Sequence, residues 1–132
     1  MADKTFKCSV ITPEAQVFDG DVESVVLPAH DGEIGILFSR APLLCKLGAG
    51  RLRVRKGSEE QAWFVDGGFA QVIDNKVAVL TQRALRPEEM SAAEAQARLE
   101  EALKMPAGDD AAARRKDEMV ASARAQIRMT LG

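Results

Sequence analysis

The residues best equipped for chemistry lie in the stretch "PAHDGEIG", where His30 precedes Asp31 and is the chain's single histidine. A histidine beside an acid could act as a base with its orienting carboxylate. Adjacent residues in a turn rarely point at one another, however, and no nucleophile stands nearby in a recognisable elbow, so a turn histidine is expected. The two thiols, Cys8 and Cys45, sit in apolar, strand-like surroundings and match no metal-ligand spacing. They read as buried free cysteines, with a Cys8–Cys45 disulfide as the other option. The chain contains no Gly-x-x-x-x-Gly-Lys phosphate loop and no dinucleotide fingerprint. No catalytic residue, metal or cofactor is expected.

The totals exclude further classes. A net charge of −2 lacks the basic surplus that phosphate binding needs, and five phenylalanines with Trp63 provide few stacking platforms, so no nucleic-acid partner is expected. No apolar run approaches the ~20 residues of a membrane-spanning helix. The N-terminus "MADKTFKCSV" has no apolar stretch of signal-peptide length, which argues against export. A length of 132 residues, 46% of them hydrophobic, fits one domain or a domain with a small appendage.

The elements that would carry these residues change character near Arg83. Up to there, short alternating runs are separated by turn chemistry. In "KTFKCSVI", Phe6, Cys8 and Val10 face one way and Lys7 and Ser9 the other; in "RLRVRK", Leu52 and Val54 alternate with Arg51, Arg53 and Arg55. That arginine row reads as a solvated strand face or as a binding stripe. Turns are predicted at Thr12-Pro13-Glu14, Asp19-Gly20, Asp31-Gly32, Lys56-Gly57-Ser58, Asp66-Gly67-Gly68 and Asp74-Asn75, the last as the centre of a hairpin. Phe64 and Phe69 are assigned to the core, and Trp63 to the core or an interface. The fold class is therefore mainly β plus α: an antiparallel β-sandwich or barrel over residues 1–85, then a two-helix hairpin over 86–132.

In the hairpin, "PEEMSAAEAQARLEEALKM" places Ala92, Ala95, Leu99, Ala102 and Leu103 on a narrow stripe, starting either at Pro87 or at a Ser91/Glu94 capping box. Pro106-Ala107-Gly108 stops it, Asp109 or Asp110 caps the second helix, and Val120, Ala123, Ile127 and Leu131 form the second stripe. Stripes rich in alanine bury little apolar area, so such a pair needs another surface and has the low local stability of an element that can detach. Residues 87–105 hold five acids against two bases, and residues 114–132 five bases against two acids. The helices complement each other, or the second also seeks an acidic partner.

The order of "VITPEAQVFDGDVESVVLPAHDGEIGIL", "APLL", "LGAGRLRV" and "VDGGFAQVIDNKVAVLTQRA", continuing into a helical hairpin, resembles the epsilon subunit of the F-type (rotary) ATP synthase, called delta in mitochondria. The resemblance implies a noncatalytic rotor component of the central stalk, coupling proton or sodium transport to ATP synthesis. It implies a sandwich docked on the gamma subunit and on the polar loops of the c-ring. It also implies helices that fold down or extend along gamma towards the C-terminal regions of alpha and beta, braking ATP hydrolysis. Transferred to this chain, Asp31, Gly32 and Glu33 face the c-ring, with Ile34, Ile36 and Leu37 as the anchoring strand. Thr12, Arg40, Ala41, Pro42, Leu43 and Cys45 face gamma, and Arg114, Arg115, Arg124 and Arg128 make the inhibitory contacts. The family's usual "LPGHAPL" reads "LFSRAPL", with Phe38, Ser39 and Arg40 departing; Arg40 pairs with an acid of gamma or the c-ring, or stays solvated. The ATP motif of some bacterial members, Ile/Leu-Asp-x-x-Arg-Ala, reads "MSAAEA", with Ser91 for the acid and Glu94 for the arginine, so weak or absent ATP binding is expected. The resemblance places the chain peripherally on the cytoplasmic face of a bacterial inner membrane. Outside it, two other readings are a small-ligand sensor with a helical lid, and an enzyme using His30 and Asp31.

Overall fold

The computed structural model describes residues 4–131, the side chain of Leu131 excepted. The described residues form ten strands followed by a short 3-10 turn and two α-helices, and the chain divides into two compact units, one ending at Leu85 and the other starting at Arg86.

The first unit is a sandwich of two five-stranded sheets. The first sheet holds, in spatial order, β2 (Gln16–Val22), β1 (Phe6–Ile11), β9 (Lys76–Leu80), β8 (Phe69–Ile73) and β5 (Leu43–Lys46). The second holds β10 (Ala84–Leu85), β7 (Glu59–Asp66), β6 (Ala49–Lys56), β3 (Ser24–Ala29) and β4 (Gly32–Leu37). All pairs are antiparallel except one: β1 runs parallel to β9, with Cys8 opposite Val77 and Val10 opposite Val79. An all-antiparallel reading of the sequence missed this, because the two strands are separated by most of the unit and no local turn announces their pairing.

Alternation fills the core. Phe6, Cys8 and Val10 of β1 and Leu52 and Val54 of β6 point inward, and the arginines of β6 point outward. Trp63 is buried and meets the ring of Phe18 edge-on, with centroids 5.3 Å apart. The β8–β9 hairpin turns on Asp74 and Asn75, both at positive φ (51° and 57°), the geometry a two-residue turn needs to match the twist of its strands. Asp19-Gly20 is not a turn. Both residues lie inside β2, where a Cβ on Gly20 would meet the Phe18 ring at 3.4 Å, so the glycine makes room for the aromatic side chain.

The second unit begins with a short 3-10 turn at Pro87–Glu89, closed by the bond from Arg86 N–H to Glu89 Oε1 (2.8 Å). Helix α1 (Ala92–Leu103) follows, capped by Ser91, whose hydroxyl accepts from Glu94 N–H at 3.3 Å. Both candidate starts are therefore real, as two consecutive elements. Helix α2 (Asp110–Leu131) is capped by Asp109, whose Oδ1 accepts from Ala112 N–H at 2.7 Å. Ala95 and Ala102 of α1 are buried, Leu99 is half-buried, and Ala92 and Leu103 are exposed. On α2 the best-buried residues are Ser122, Ala123, Ala125 and Gln126, with Val120 and Ile127 half-buried beside them. The expected stripe was thus turned round the helix axis, because it was drawn through the large aliphatic residues and passed over two polar ones.

Candidate interaction surfaces

Strand register divides the loops of the sandwich between two ends. At one end lie the β3–β4 turn at His30-Asp31, the β7–β8 turn at Gly67-Gly68 and the β1–β2 loop that begins with Thr12. Backbone bonds from His30 N–H to the Lys46 carbonyl (2.8 Å), Leu47 N–H to the Gly68 carbonyl (2.8 Å) and Gly67 N–H to the Gly48 carbonyl (3.1 Å) tie the β3–β4 and β7–β8 turns to the β5–β6 connection, which lies at the same end. Buried Thr81 completes the knot: its hydroxyl lies 2.8 Å from the Gly67 carbonyl and accepts from Asp66 N–H at 3.3 Å. At the other end lie the β8–β9 turn, the β6–β7 turn and the β4–β5 loop with Phe38–Pro42.

Asp31, Gly32 and Glu33 are all exposed at the first end. A two-residue loop projects Asp31, and Gly32 has a φ of +138° that a side chain would strain. Glu33 Oε1 lies 4.0 Å from Arg53 Nη2, which reaches over from β6; such an open pair is weak and leaves the carboxylate accessible. His30 is exposed in the turn. Among the described residues, no group of three or more His, Cys, Asp or Glu side chains could hold a metal ion.

Thr12 and Arg40–Pro42 do not come together. Thr12 continues the row through Thr81, Gly68 and Leu47, whereas Pro42 lies five residues before Leu47 on the opposite edge of the sheet. That separation amounts to about 17 Å along the strands and about 14 Å across them. The structure brings Asp31 and Cys45 nearer: burial pushes the Cys45 thiol up, an Ala70 backbone hydrogen bond opposes this, and the charge of Asp31 adds to the rise. Cys8 is pushed up to about 12 by burial and then by Asp19. Both cysteines are free thiols, Cys8 buried and Cys45 half-buried.

Within the departing triple Phe38-Ser39-Arg40, the middle residue has a structural explanation. Ser39 has a φ of 64°, in the region that favours glycine, where the resembling family usually carries one. Its N–H donates to Asn75 Oδ1 at 2.9 Å, and the Asn75 carbonyl also accepts from Lys7 N–H at 3.2 Å. Asn75 therefore fixes this loop to the hairpin turn, which offsets the strain of a non-glycine residue there. Arg40 is exposed, its backbone N–H bonded to the Leu37 carbonyl.

One exposed apolar feature was not singled out by the sequence. On the outer face of the first sheet, Leu44 (70% exposed), Phe69 (51%), Ile73 and Leu80 stand uncovered. Register makes them neighbours: Phe69 is directly opposite Leu80, Leu80 beside Ile11, and Leu44 opposite Gln71, between Phe69 and Ile73. Phe69 was expected in the core, but in "FAQVI" it is Ala70 and Val72 that point inward. Likewise Ile36 of β4 is buried, Ile34 half-buried, and Leu37 exposed. Adjacent apolar side chains of this size on a water-facing sheet mark a surface that another molecule covers.

On α2 all four arginines, Arg114, Arg115, Arg124 and Arg128, are exposed. At 100° per residue, Arg114, Arg124 and Arg128 fall within an arc of about 80°, whereas Arg115 shares the side of Ser122. Three of the four thus line one side of the helix, a stripe that is net basic although Asp117 lies within the same arc. Among the described residues, no helix is long and apolar enough to cross a membrane.

Comparison with known proteins follows this geometry. Residues 5–87 match the family model described as ATP synthase, Delta/Epsilon chain, beta-sandwich domain. A relative from Rhodopirellula baltica, named ATP synthase epsilon chain, is 44% identical over 94% of this chain and 97% of its own length. One of the same name from Teredinibacter turnerae is 36% identical over 94% of this chain and 91% of its own. Among solved structures, a chain of the Euglena gracilis mitochondrial ATP synthase (OSCP/F1/c-ring) has a TM-score of 0.83 at 21% identity, covering 100% of this chain and 84% of that one. A chain of the Tetrahymena thermophila central stalk/c-ring assembly has 0.74 at 18% identity, covering 94% and 95%. At these identities the structural likeness speaks for the fold alone.

Proposed function

The chain belongs to the ATP synthase delta/epsilon family, and on that premise we propose that it is a noncatalytic subunit of the central stalk, coupling proton or sodium transport to ATP synthesis. The observation that carries this reading is the exposed apolar face of Leu44, Phe69, Ile73 and Leu80. Since about half or more of each side chain is still exposed, burying the rest against a partner returns about 1–2 kcal/mol each, which favours docking there. The gamma subunit is the proposed occupant, with Leu43, Cys45 and the Arg40–Pro42 loop along its edge. Thr12, at the far end, joins Asp31, Gly32 and Glu33 in facing the polar loops of the c-ring. The basic stripe of α2 meets acidic C-terminal regions of alpha and beta when the helices extend, and so brakes hydrolysis. Held by these contacts, the chain is peripheral on the cytoplasmic face of a bacterial inner membrane.

The test is a pull-down from detergent-solubilised membranes with tagged chain, unaltered and carrying Leu44→Glu with Leu80→Glu. The unaltered chain brings down gamma and the c-ring, and the double variant loses both. An unaltered chain that retains neither partner overturns the rotor function; a variant that retains both overturns the docking face. Removal of residues 86–132 raises hydrolysis by the assembled enzyme, and an unchanged rate removes the brake. The ligand-sensor reading is not favoured, since relatives similar along nearly their whole length are named ATP synthase epsilon chains.

A further inference from the structure

The seam between α1 and α2 contains a polar group that neither capping nor helix periodicity accounts for. Gln126 of α2 is 2% exposed, and its Oε1 accepts a hydrogen bond from Arg98 Nη1 of α1 at 2.9 Å. Arginine only donates, so the oxygen end of the amide must face it. The other end, Nε2, is buried with no hydrogen-bond partner. A buried donor in that state carries a desolvation penalty that disappears when water reaches it. The apolar contacts opposing this release are small, because the buried residues nearby are Ala95, Ala102, Ala123 and Ala125. Ser122, one turn before Gln126, is a second polar residue in the same stretch.

We infer that Gln126 is the set-point of the helical hairpin: through Arg98 it fixes which residues of the two helices face each other, and through its unpaired amide it keeps the closed hairpin close to opening. A buried polar contact in a helix seam specifies register at a cost in stability, and here that cost makes separation of the helices less unfavourable. The consequence for the assembly rests on the regulatory role proposed above; the set-point itself does not.

Amide hydrogen exchange on the full-length chain tests this, comparing the unaltered protein with Gln126→Leu, Gln126→Met and Arg98→Ala. The leucine variant removes the unpaired donor at similar volume, and the methionine variant does so with a flexible side chain should leucine pack poorly. Exchange across α1 and α2 should slow about tenfold in either of these and quicken in Arg98→Ala, with strand amides unchanged. If neither Gln126 variant slows exchange, the inference is overturned. Hydrolysis by the assembled enzyme is then measured with the slowed variant. Weakened inhibition supports the set-point together with the regulatory reading. Slowed exchange with unaltered inhibition supports the set-point and overturns that reading.

Discussion

Replacing Gly68 with alanine should unfold the sandwich far more readily than the same change one residue earlier. Both glycines have positive φ, +74° at Gly67 and +104° at Gly68. A Cβ on Gly67 meets nothing within 4 Å, so Gly67→Ala carries only the backbone penalty of about 1–2 kcal/mol. A Cβ on Gly68 falls 1.9 Å from the Leu80 carbonyl oxygen and 2.8 Å from Thr81 Cα. These are main-chain atoms, so no side-chain rotation relieves the clash. They are also held on both sides, Leu80 by its pairing with Phe69 and Thr81 by the bond from its N–H to the Ile11 carbonyl (3.0 Å). Forcing them apart adds about 1–3 kcal/mol to the backbone term, about 2–5 kcal/mol together. For a unit of this size that lowers Tm by about 10–25 °C, against about 5–10 °C for Gly67→Ala. Thermal unfolding followed by circular dichroism measures the difference. If the two variants melt within a few degrees of each other, the close approach at Gly68 does not control the turn, and the reasoning fails.

Thr81→Val keeps the shape but deprives Asp66 N–H and the Gly67 carbonyl of their hydroxyl partner, which should cost about 1–3 kcal/mol in denaturant unfolding, with local exchange quickened in the β7–β8 turn. Because the folded-state Cys8 thiol is raised from 9.0 to about 12, the unfolded chain loses its proton first as pH rises. The stability this thiol contributes is whole below pH 9 and falls between there and about pH 12; Cys8→Ala should flatten that part of the profile, and an equal slope in both proteins refutes it. Asn75→Gly preserves the hairpin turn while removing the acceptor for Ser39 N–H, so the Phe38–Pro42 loop should exchange faster and Ser39→Gly should partly restore it. Isothermal titration with ATP should yield no saturable micromolar binding, since Ser91 is engaged as a helix cap and Glu94 places a negative charge beside it.

Local signals in the sequence translated directly into structure. Asp74-Asn75 supplied the two left-handed residues of a hairpin, the period of two in β1 and β6 sorted inside from outside, and Ser91 and Asp109 capped the helices where their side chains could reach a free N–H. Non-local features were hidden. Phe69 looks like core by type, yet its face is settled by which neighbours β8 pairs with, and "FAQVI" reads equally well in both phases. Asp19-Gly20 has turn composition and even a near neighbour misleads there, since the glycine makes room for Phe18 two residues earlier on the same face of β2. In α2 the buried side runs through Ser122 and Gln126, which hydropathy assigns to water. The residues proposed for docking divide in the same way: Asp31-Gly32 was legible as a turn, whereas the distance between Thr12 and Pro42 depends on sheet order.

The parallel pairing of β1 with β9 has a consequence for how the chain is made. The first and last long strands of the sandwich lie side by side in the interior of one sheet, so that sheet has no partial version made from the early part of the chain. Until Val77 and Val79 have emerged, Cys8 and Val10 can pair only with β2, and a hairpin of two strands is marginal in water. Closure is deferred to the end of the unit, at the expense of a slow, long-range step. Once made, it sews the first and last long strands of the unit into the middle of that sheet.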